Sequence, residues 1–586
     1  MRGARLITTL LIALSMTAAT PRSAKPKPVP LTPEQRTAQA LMKPMSLRDR
    51  AAQLVIVVAN GDVYSTKSPE YEKYRRWIAD LRVGGIIINN ASQNGLVRNA
   101  EPHALALFLN QMQKLARTPL LVASDFERAA SMRVTGGTRF PHSMAFGAAN
   151  DLTATKYEGL IAAREARALG IHWIFAPVAD VNNNPLNPII NLRSYGEDPE
   201  QVSRHVAAFI EGAHSDPASR VLLSAKHFPG HGDTEVDSHL GLPRLEVPRE
   251  RLDAMELKPF ERAIALGVDS IMTAHMAVPA LEPSGVPATV SPKVLTALLR
   301  EELKFKGLIV TDSMAMQGMT MLFDSGEGSV RSVLAGADVL LMPPDPEKAV
   351  RALVGAVEDG RISRQRLDQS VMRVLAAKIS LGLYKKRLVN LDAISDVLDS
   401  PESAEKAQAV ADHAVTLIRN DRSALPLAAN SRACLIVITE LRISQFGQRT
   451  IQEFRRRAPN GRVVSLDTGL PLAALEATAG DTGSCSAIVA ASFASVSADL
   501  RDAKPFLEKL SQGPAPLVLL PFENPYLLTS IPGAAAYLTP FSSSLPSEIA
   551  AVKALFGEIP ITGHTPVTIP GFAQLRDGIQ LPARAR

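Results

Sequence analysis

VLLSAKHFPGHGDTEVDSH, residues 221–239, opens on a short apolar run and passes without a break into the densest polar stretch of the chain. Short apolar runs suit strands buried on both faces, as in a parallel sheet. The same change of character recurs after QLVIVV (53–58), GGIII (84–88), PLLVAS (119–124), IHWIFAPV (171–178), DSIMTA (269–274), GLIVT (307–311) and ADVLLM (337–342). A stretch of helical character follows each run. Eight strand-helix units within residues 45–385 predict a (β/α)8 TIM-like barrel with insertions, a doubly wound open sheet being the alternative. The polar residues favour the barrel. Asn89, Asp125, Asp180, Lys226, His227, His275 and Asp312 each fall at or just after the C-terminal end of a run, and in a barrel those ends meet at one mouth, where active sites lie.

Outward from the barrel, the pattern changes after about residue 385. Helical character at 401–418 leads into CLIVIT (434–439), RVVSL (462–466), AIVAASF (487–493) and PLVLLPF (516–522), which predict a second α/β domain over 386–586 with a smaller parallel sheet. At the other end, Arg2 and Arg5 precede an apolar run from Leu6 to Met16 and the small residues Thr17, Ala18 and Ala19. That layout reads as a secretory signal over 1–24, cleaved near Ala19, and so predicts an exported protein, periplasmic or extracellular. The run is too short to span a bilayer, and no later stretch reaches about 18 uninterrupted apolar residues, so no stable membrane span is expected. Residues 25–44, rich at their start in proline and lysine, read as a linker.

The 586 residues are roughly three to four times the usual domain size, and 46% hydrophobic with 21% charged residues is an ordinary globular mixture. The net charge of +6 comes with no basic run or basic-aromatic stripe, so no nucleic acid partner is expected. Cys434 and Cys485, the only cysteines, both lie in apolar runs, where buried free thiols and a bridge fit equally well. Oligomeric state is not legible.

Within 226–239, His227, His231 and His239 stand with Lys226, Asp233, Glu235 and Asp237 in a protein of only 11 histidines. Pro229, Gly230 and Gly232 exclude a regular helix, so the segment reads as a loop leaving a strand. In extended chain, residues two apart point the same way, which lets Asp237 orient His239 for proton transfer. A rival reading makes His231, Asp233, Asp237 and His239 metal ligands, and a third makes the histidines loop caps. Asp312, ending the seventh run, is a candidate nucleophile or base, against the alternative of a helix cap. Met314, Met316, Met319 and Met321 read as packing residues.

KHFPGHGDTEVDSH (226–239), FAPVADVNNNPLNPIINLRSYGEDP (175–199) and GLIVTDSMAM (307–316) resemble the signatures of glycoside hydrolase family 3, in its bacterial β-N-acetylhexosaminidase branch. Weaker likeness continues through AVTLIRND (414–421), LPL (425–427) and PVTIPG (566–571). The resemblance implies a barrel followed by a C-terminal α/β sandwich, Asp312 as nucleophile, His239 as general acid/base and Asp237 as the residue orienting it. It further implies that Asp125, Arg133, Arg193, Lys226 and His227 bind a nonreducing-end sugar, without metal or other cofactor. One departure stands out: where the family has a glycine pair after the acids of the Asp125 loop, this chain has Arg128 and Ala129.

The implied reaction is retaining removal of terminal β-linked N-acetylglucosamine from muropeptides, chitooligosaccharides or related oligosaccharides, through a glycosyl-aspartate. A histidine acid departs from the usual carboxyl pair. Because a neutral imidazole repels an anionic acceptor less than a carboxylate does, phosphate could compete with water. Substrate-assisted hexosaminidases use an Asp-Glu pair, and this chain contains no Asp-Glu dipeptide. The alternatives are β-glucosidase or phosphorylase activity on the same fold, or a catalytically silent sugar-binding protein.

Overall fold

The structure, a computed structural model, describes residues 31–93 and 96–584. The signal segment lies outside them. Eight parallel strands, β1 (Val55–Ala59), β2 (Gly85–Ile88), β3 (Leu121–Ser124), β4 (Trp173–Ile174), β5 (Leu222–Phe228), β6 (Ser270–Thr273), β7 (Leu308–Thr311) and β8 (Leu340–Leu341), run in the order β8-β1-β2-β3-β4-β5-β6-β7. A parallel bridge between Val310 and Val339 joins β7 to the start of β8 and brings the ring to closure. This is the TIM-like barrel.

Side-chain alternation explains why these runs become barrel strands. Ile56, Ile87, Leu121, Ala123, Trp173, Leu222, Met272, Leu308 and Val310 fill the interior. Their neighbours Val55, Val57, Ile86, Ile88, Val122, Leu223, Ile271 and Ile309 face the helices. Each residue is therefore buried whichever way it points, which a continuous apolar run requires. Trp173 is admitted because its Nε1 donates to Ser270 Oγ at 2.8 Å.

Three expectations change. The later part of the segment read as a linker is a helix, Pro33–Met42, with a Thr32–Gln35 capping box, and Ala38 and Met42 are packed in the barrel's outer core. Thr-Pro-Glu-Gln is a helix start, and its signal outweighs the proline-rich approach. Lys226 and His227 belong to β5 itself rather than to the loop after it. Met314, Met316 and Met319 are buried, as packing residues are, whereas Met321 is 70% exposed.

The second body carries six strands, β9 (Thr416–Asn420), β10 (Cys434–Thr439), β11 (Val463–Asp467), β12 (Ile488–Ser492), β13 (Leu517–Pro521) and β14 (Ala536–Thr539), in the order β9-β14-β13-β12-β10-β11. Leu435, Val437, Val489, Ala491 and Val518 pack on one face under helices Gln448–Arg457 and Leu545–Leu555. Ile436, Ile438, Ile488, Ala490 and Leu519 pack on the other under Leu472–Ala479 and Ala503–Ser511. It is an α/β sandwich. The sheet is mixed, because β9 joins β14 antiparallel. Neither strand stands out in the sequence: β9 is an edge with a polar end, and β14 follows an alanine run of low strand propensity.

Cys434 and Cys485 form a disulfide across a sequence separation of 51. Restricting a loop of that length in the unfolded chain stabilises by about 4 kcal/mol. Cys434→Ser with Cys485→Ser is therefore expected to lower the unfolding free energy of this body by about that amount, read by urea denaturation in non-reducing buffer. No helix among the described residues is long and apolar enough to cross a membrane.

Candidate active site

Three strand ends build the centre of the site. Lys226, projecting from β5 and 2% exposed, places Nζ 2.8 Å from Asp125 Oδ1 and 2.6 Å from Glu127 Oε1. Asp125 and Glu127 leave β3 two residues apart, so both carboxylates reach the same ammonium. Arg133, farther along that loop, donates to Asp125 Oδ2 at 2.9 Å. Arg193, in the loop after β4, grips Glu127 through Nε at 3.0 Å and Nη2 at 2.8 Å, and its Nη2 lies 3.3 Å from His227 Nε2. The other ring nitrogen of His227 meets Asp180 Oδ2 at 2.7 Å. Asp125, Arg133, Arg193, Lys226 and His227, named from separate segments of sequence, thus form one charge network.

The network sets its own charges. Burial would raise the Asp125 carboxyl, but the cations of Lys226 and Arg133 hold it down at about 2. Burial likewise opposes the charge on Lys226, yet Asp125 and Glu127 keep its ammonium above the ordinary lysine value. The buried groups are paired, as a low-dielectric site requires.

Asp312 follows β7 directly, and its Oδ1 accepts from the Ser313 amide at 2.7 Å. It caps no helix: the next one starts at Gln317, with Met316 as its N-cap. Burial pushes the Asp312 carboxyl up, but the imidazoles of His227 and His275, the Ser313 amide and the Lys226 ammonium hold it below the ordinary aspartate range. His275, at the end of β6, bonds Thr289 Oγ1 at 2.8 Å through Nδ1 and the Ser313 carbonyl at 3.0 Å through Nε2. Burial lowers the His275 imidazole below the ordinary histidine value, against the opposing pull of the Asp312 carboxylate.

His239 stands on the loop after β5, its side chain 57% exposed, with Nδ1 2.7 Å from Asp237 Oδ1. The same oxygen accepts the His239 amide at 2.8 Å. Asp237 therefore orients the ring and leaves Nε2 free. The Gly318 amide donates to the Ser238 carbonyl at 3.2 Å, tying this loop to the segment that carries Asp312. Inside the loop, His231 bonds Thr234 at 2.7 Å and Ser238 at 3.1 Å, while Asp233 pairs with Arg251 at 3.3 Å. Of the four residues offered as metal ligands, His231 and Asp233 are thus bound to different partners from the Asp237–His239 pair.

Several supporting residues escape sequence reasoning. Asn187 donates to the carbonyls of His231 at 2.8 Å and Gly232 at 3.0 Å, clamping the loop after β5 against the loop after β4. Gly232 lies so close that a Cβ there would meet the Val181 carbonyl at 1.7 Å. Asn182 donates to Tyr526 Oη and Asn191 to the Glu523 carbonyl, each at 3.0 Å, so the second body braces the loop that ends in Arg193. Ala129 holds φ 53°, ψ −163°, a conformation suited to glycine, so the loop keeps a glycine-type path without the glycine. Buried Glu165, in the helix Leu152–Leu169, accepts from the amides of Ala130 at 3.0 Å and Thr138 at 2.8 Å and from Thr138 Oγ1 at 2.6 Å. One carboxylate thus anchors both ends of the segment carrying Arg133. Glu127 and Asp180 had a signal, being acids at strand ends; Glu165, in mid-helix, had none.

A protein from Cellulomonas fimi described as beta-N-acetylglucosaminidase/beta-glucosidase is 30% identical over 534 residues, 86% of this chain and 91% of its own length. Beta-hexosaminidase A of Pseudoalteromonas piscicida is 32% identical over 443 residues, covering 70% of this chain and 71% of its own. The solved structure of a glycoside hydrolase family 3 beta-N-acetylglucosaminidase from Paenibacillus sp. str. FPU-7 superposes with a TM-score of 0.79 at 31% identity, over 90% of this chain and 99% of that one. The description of the glycosyl hydrolase family 3 N terminal domain matches residues 46–377, the barrel and its site loops. This chain therefore belongs to glycosyl hydrolase family 3 and is a glycoside hydrolase.

Proposed function

We propose that the protein is a retaining exo-glycosidase that removes terminal, nonreducing, β-linked N-acetylglucosamine. The observation that carries this reading is the docking of the Asp237–His239 loop, through Ser238, onto the segment following Asp312. Asp312 attacks the anomeric carbon while protonated His239 gives its Nε2 proton to the departing oxygen, leaving a glycosyl ester. His239 then takes a proton from water, which attacks the same carbon and frees Asp312. Two inversions return the original configuration. Asp125, Arg133, Arg193, Lys226 and His227 hold the hydroxyls and acetamido group of the sugar, the charged network described above being preorganised for it.

Muropeptides or chitooligosaccharides are the proposed sources, making peptidoglycan turnover one setting. The proposed location is outside the cytoplasm. The N-terminal signal pattern supports it, and a disulfide suits an oxidising compartment. The direct test is a slow fluorinated glycoside, a 2-deoxy-2-fluoro or 5-fluoro sugar, followed by peptide mapping. A label on Asp312 is expected; a label elsewhere overturns the assignment. Comparing nitrophenol release from the acetylglucosaminide and the glucoside, with and without phosphate, tests sugar and acceptor.

Glu165 enters this reading as a positioning residue. In Glu165→Gln one half of the side chain becomes a donor facing donors, so one loop anchor is lost at about 1–3 kcal/mol. With Arg133 less firmly placed, KM is expected to rise about tenfold while kcat changes little. Steady-state kinetics and a thermal melt distinguish this from general unfolding.

A further inference from the structure

A cavity of about 690 Å³ opens between the helix Leu152–Leu169 and residues 386–403, the segment leading from the barrel to the second body. Its lining includes Glu165, which anchors the Arg133 loop, but none of the residues proposed to touch the sugar. Arg164, Arg167, Lys386 and Arg387 bring four cationic side chains to its walls. Arg164 is committed to Asp216 at 3.1 Å, and Arg387 donates to the Ala116 carbonyl at 2.9 Å.

Arg167 has no such commitment. Its Nη1 is buried without a hydrogen-bond partner. No acid offsets its charge, and burial alone acts on it. Neighbouring His172 stays neutral and adds no second positive charge, since burial and the Arg167 cation push its pKa down to about 3. Asp396 and Glu402 stand exposed at the rim, and Glu165 spends its carboxylate on Ala130 and Thr138. A buried charge left unpaired is costly, and a guanidinium fork is completed best by an oxyanion. Tyr157, Ile161 and Val389 add apolar wall, and the volume exceeds what a bare oxyanion fills.

We infer that this cavity is a binding site for a small organic oxyanion, a carboxylate or phosphate carried on an organic body, held by Arg167 with Lys386 beside it. The full-length protein would be titrated calorimetrically with citrate and, separately, with inorganic phosphate, at constant ionic strength set by sodium chloride. Citrate is expected to bind saturably, one per chain. Losing a charge-assisted bond in Arg167→Gln should weaken it about tenfold or more, and Lys386→Gln should weaken it by a few-fold. Lys386 is exposed, so its variant remains informative if Arg167→Gln folds poorly. Both variants should hydrolyse an aryl glycoside as the wild type does. Absence of saturable binding, or citrate binding unchanged in both variants, overturns the proposal. Phosphate binding as tight as citrate binding overturns its organic part.

Discussion

Asp312→Asn is expected to lower kcat by on the order of 10⁴-fold or more, because it removes the nucleophile of the proposed double displacement and leaves only binding and charge stabilisation. The variant should fold. The asparagine oxygen can still accept the Ser313 amide now held at 2.7 Å, and its volume matches. The lost charge is not free of consequence, since His227, His275 and Lys226 surround that carboxyl, and a small shift in melting temperature is expected. In Asp312→Ala, azide can occupy the vacated space and attack from the same face. Partial rescue with formation of the α-glycosyl azide would identify the missing group as the nucleophile. Turnover of Asp312→Asn near the wild-type level would exclude Asp312 from that role. In the wild type, the depressed Asp312 carboxyl stays ionised as pH falls through the ordinary aspartate range. Its own contribution to acid inactivation therefore lies below that range.

His239→Ala is expected to reduce kcat/KM by about 10²- to 10⁴-fold on natural saccharides, the usual worth of a positioned proton donor. On a dinitrophenyl glycoside the loss should be much smaller in the first step, because that leaving group departs without a proton. The second step, which needs His239 as base, should then limit the rate and let glycosyl-enzyme accumulate as a burst. Stability should change little, within about 0.5 kcal/mol, since the side chain is mostly exposed. Asp237→Asn should give an intermediate loss, because the ring loses its carboxylate partner while keeping its place in the chain. An equal loss on all leaving groups would point to a structural effect instead.

The parts of this protein legible in its sequence share one property: their signal is local. A strand buried on both faces must be a continuous apolar run, so GLIVT and VLLSA announce themselves, and a polar residue ending such a run sits at the barrel mouth. Thus Asp312, Lys226 and His227 were visible, as was the Asp237–His239 pair, whose partners lie two residues apart. Elements whose burial depends on distant neighbours were not visible. β9 and β14 are short and partly polar or alanine-rich, and they exist because distant strands supply their hydrogen bonds, β14 for β9, and β9 and β13 for β14. The helix Pro33–Met42 begins where proline-rich chain reads as a linker, because its Thr32–Gln35 capping box is a short signal beside a longer run of prolines.

By itself, the sequence determined the alternation of strand and helix, the two-body plan, and which polar side chains stand at the strand ends as candidates for the chemistry, because each depends on residues within a few positions of one another. Tertiary structure alone decided that Glu127 joins Lys226 to Arg193, that Glu165 anchors the Arg133 loop from a neighbouring helix, that the second body braces Asn182 and Asn191, and that Cys434 bonds Cys485. Ion pairs, carboxylate anchors and disulfides act over a few ångströms in space at any separation along the chain. No periodicity records them, and only the folded path brings their partners within reach.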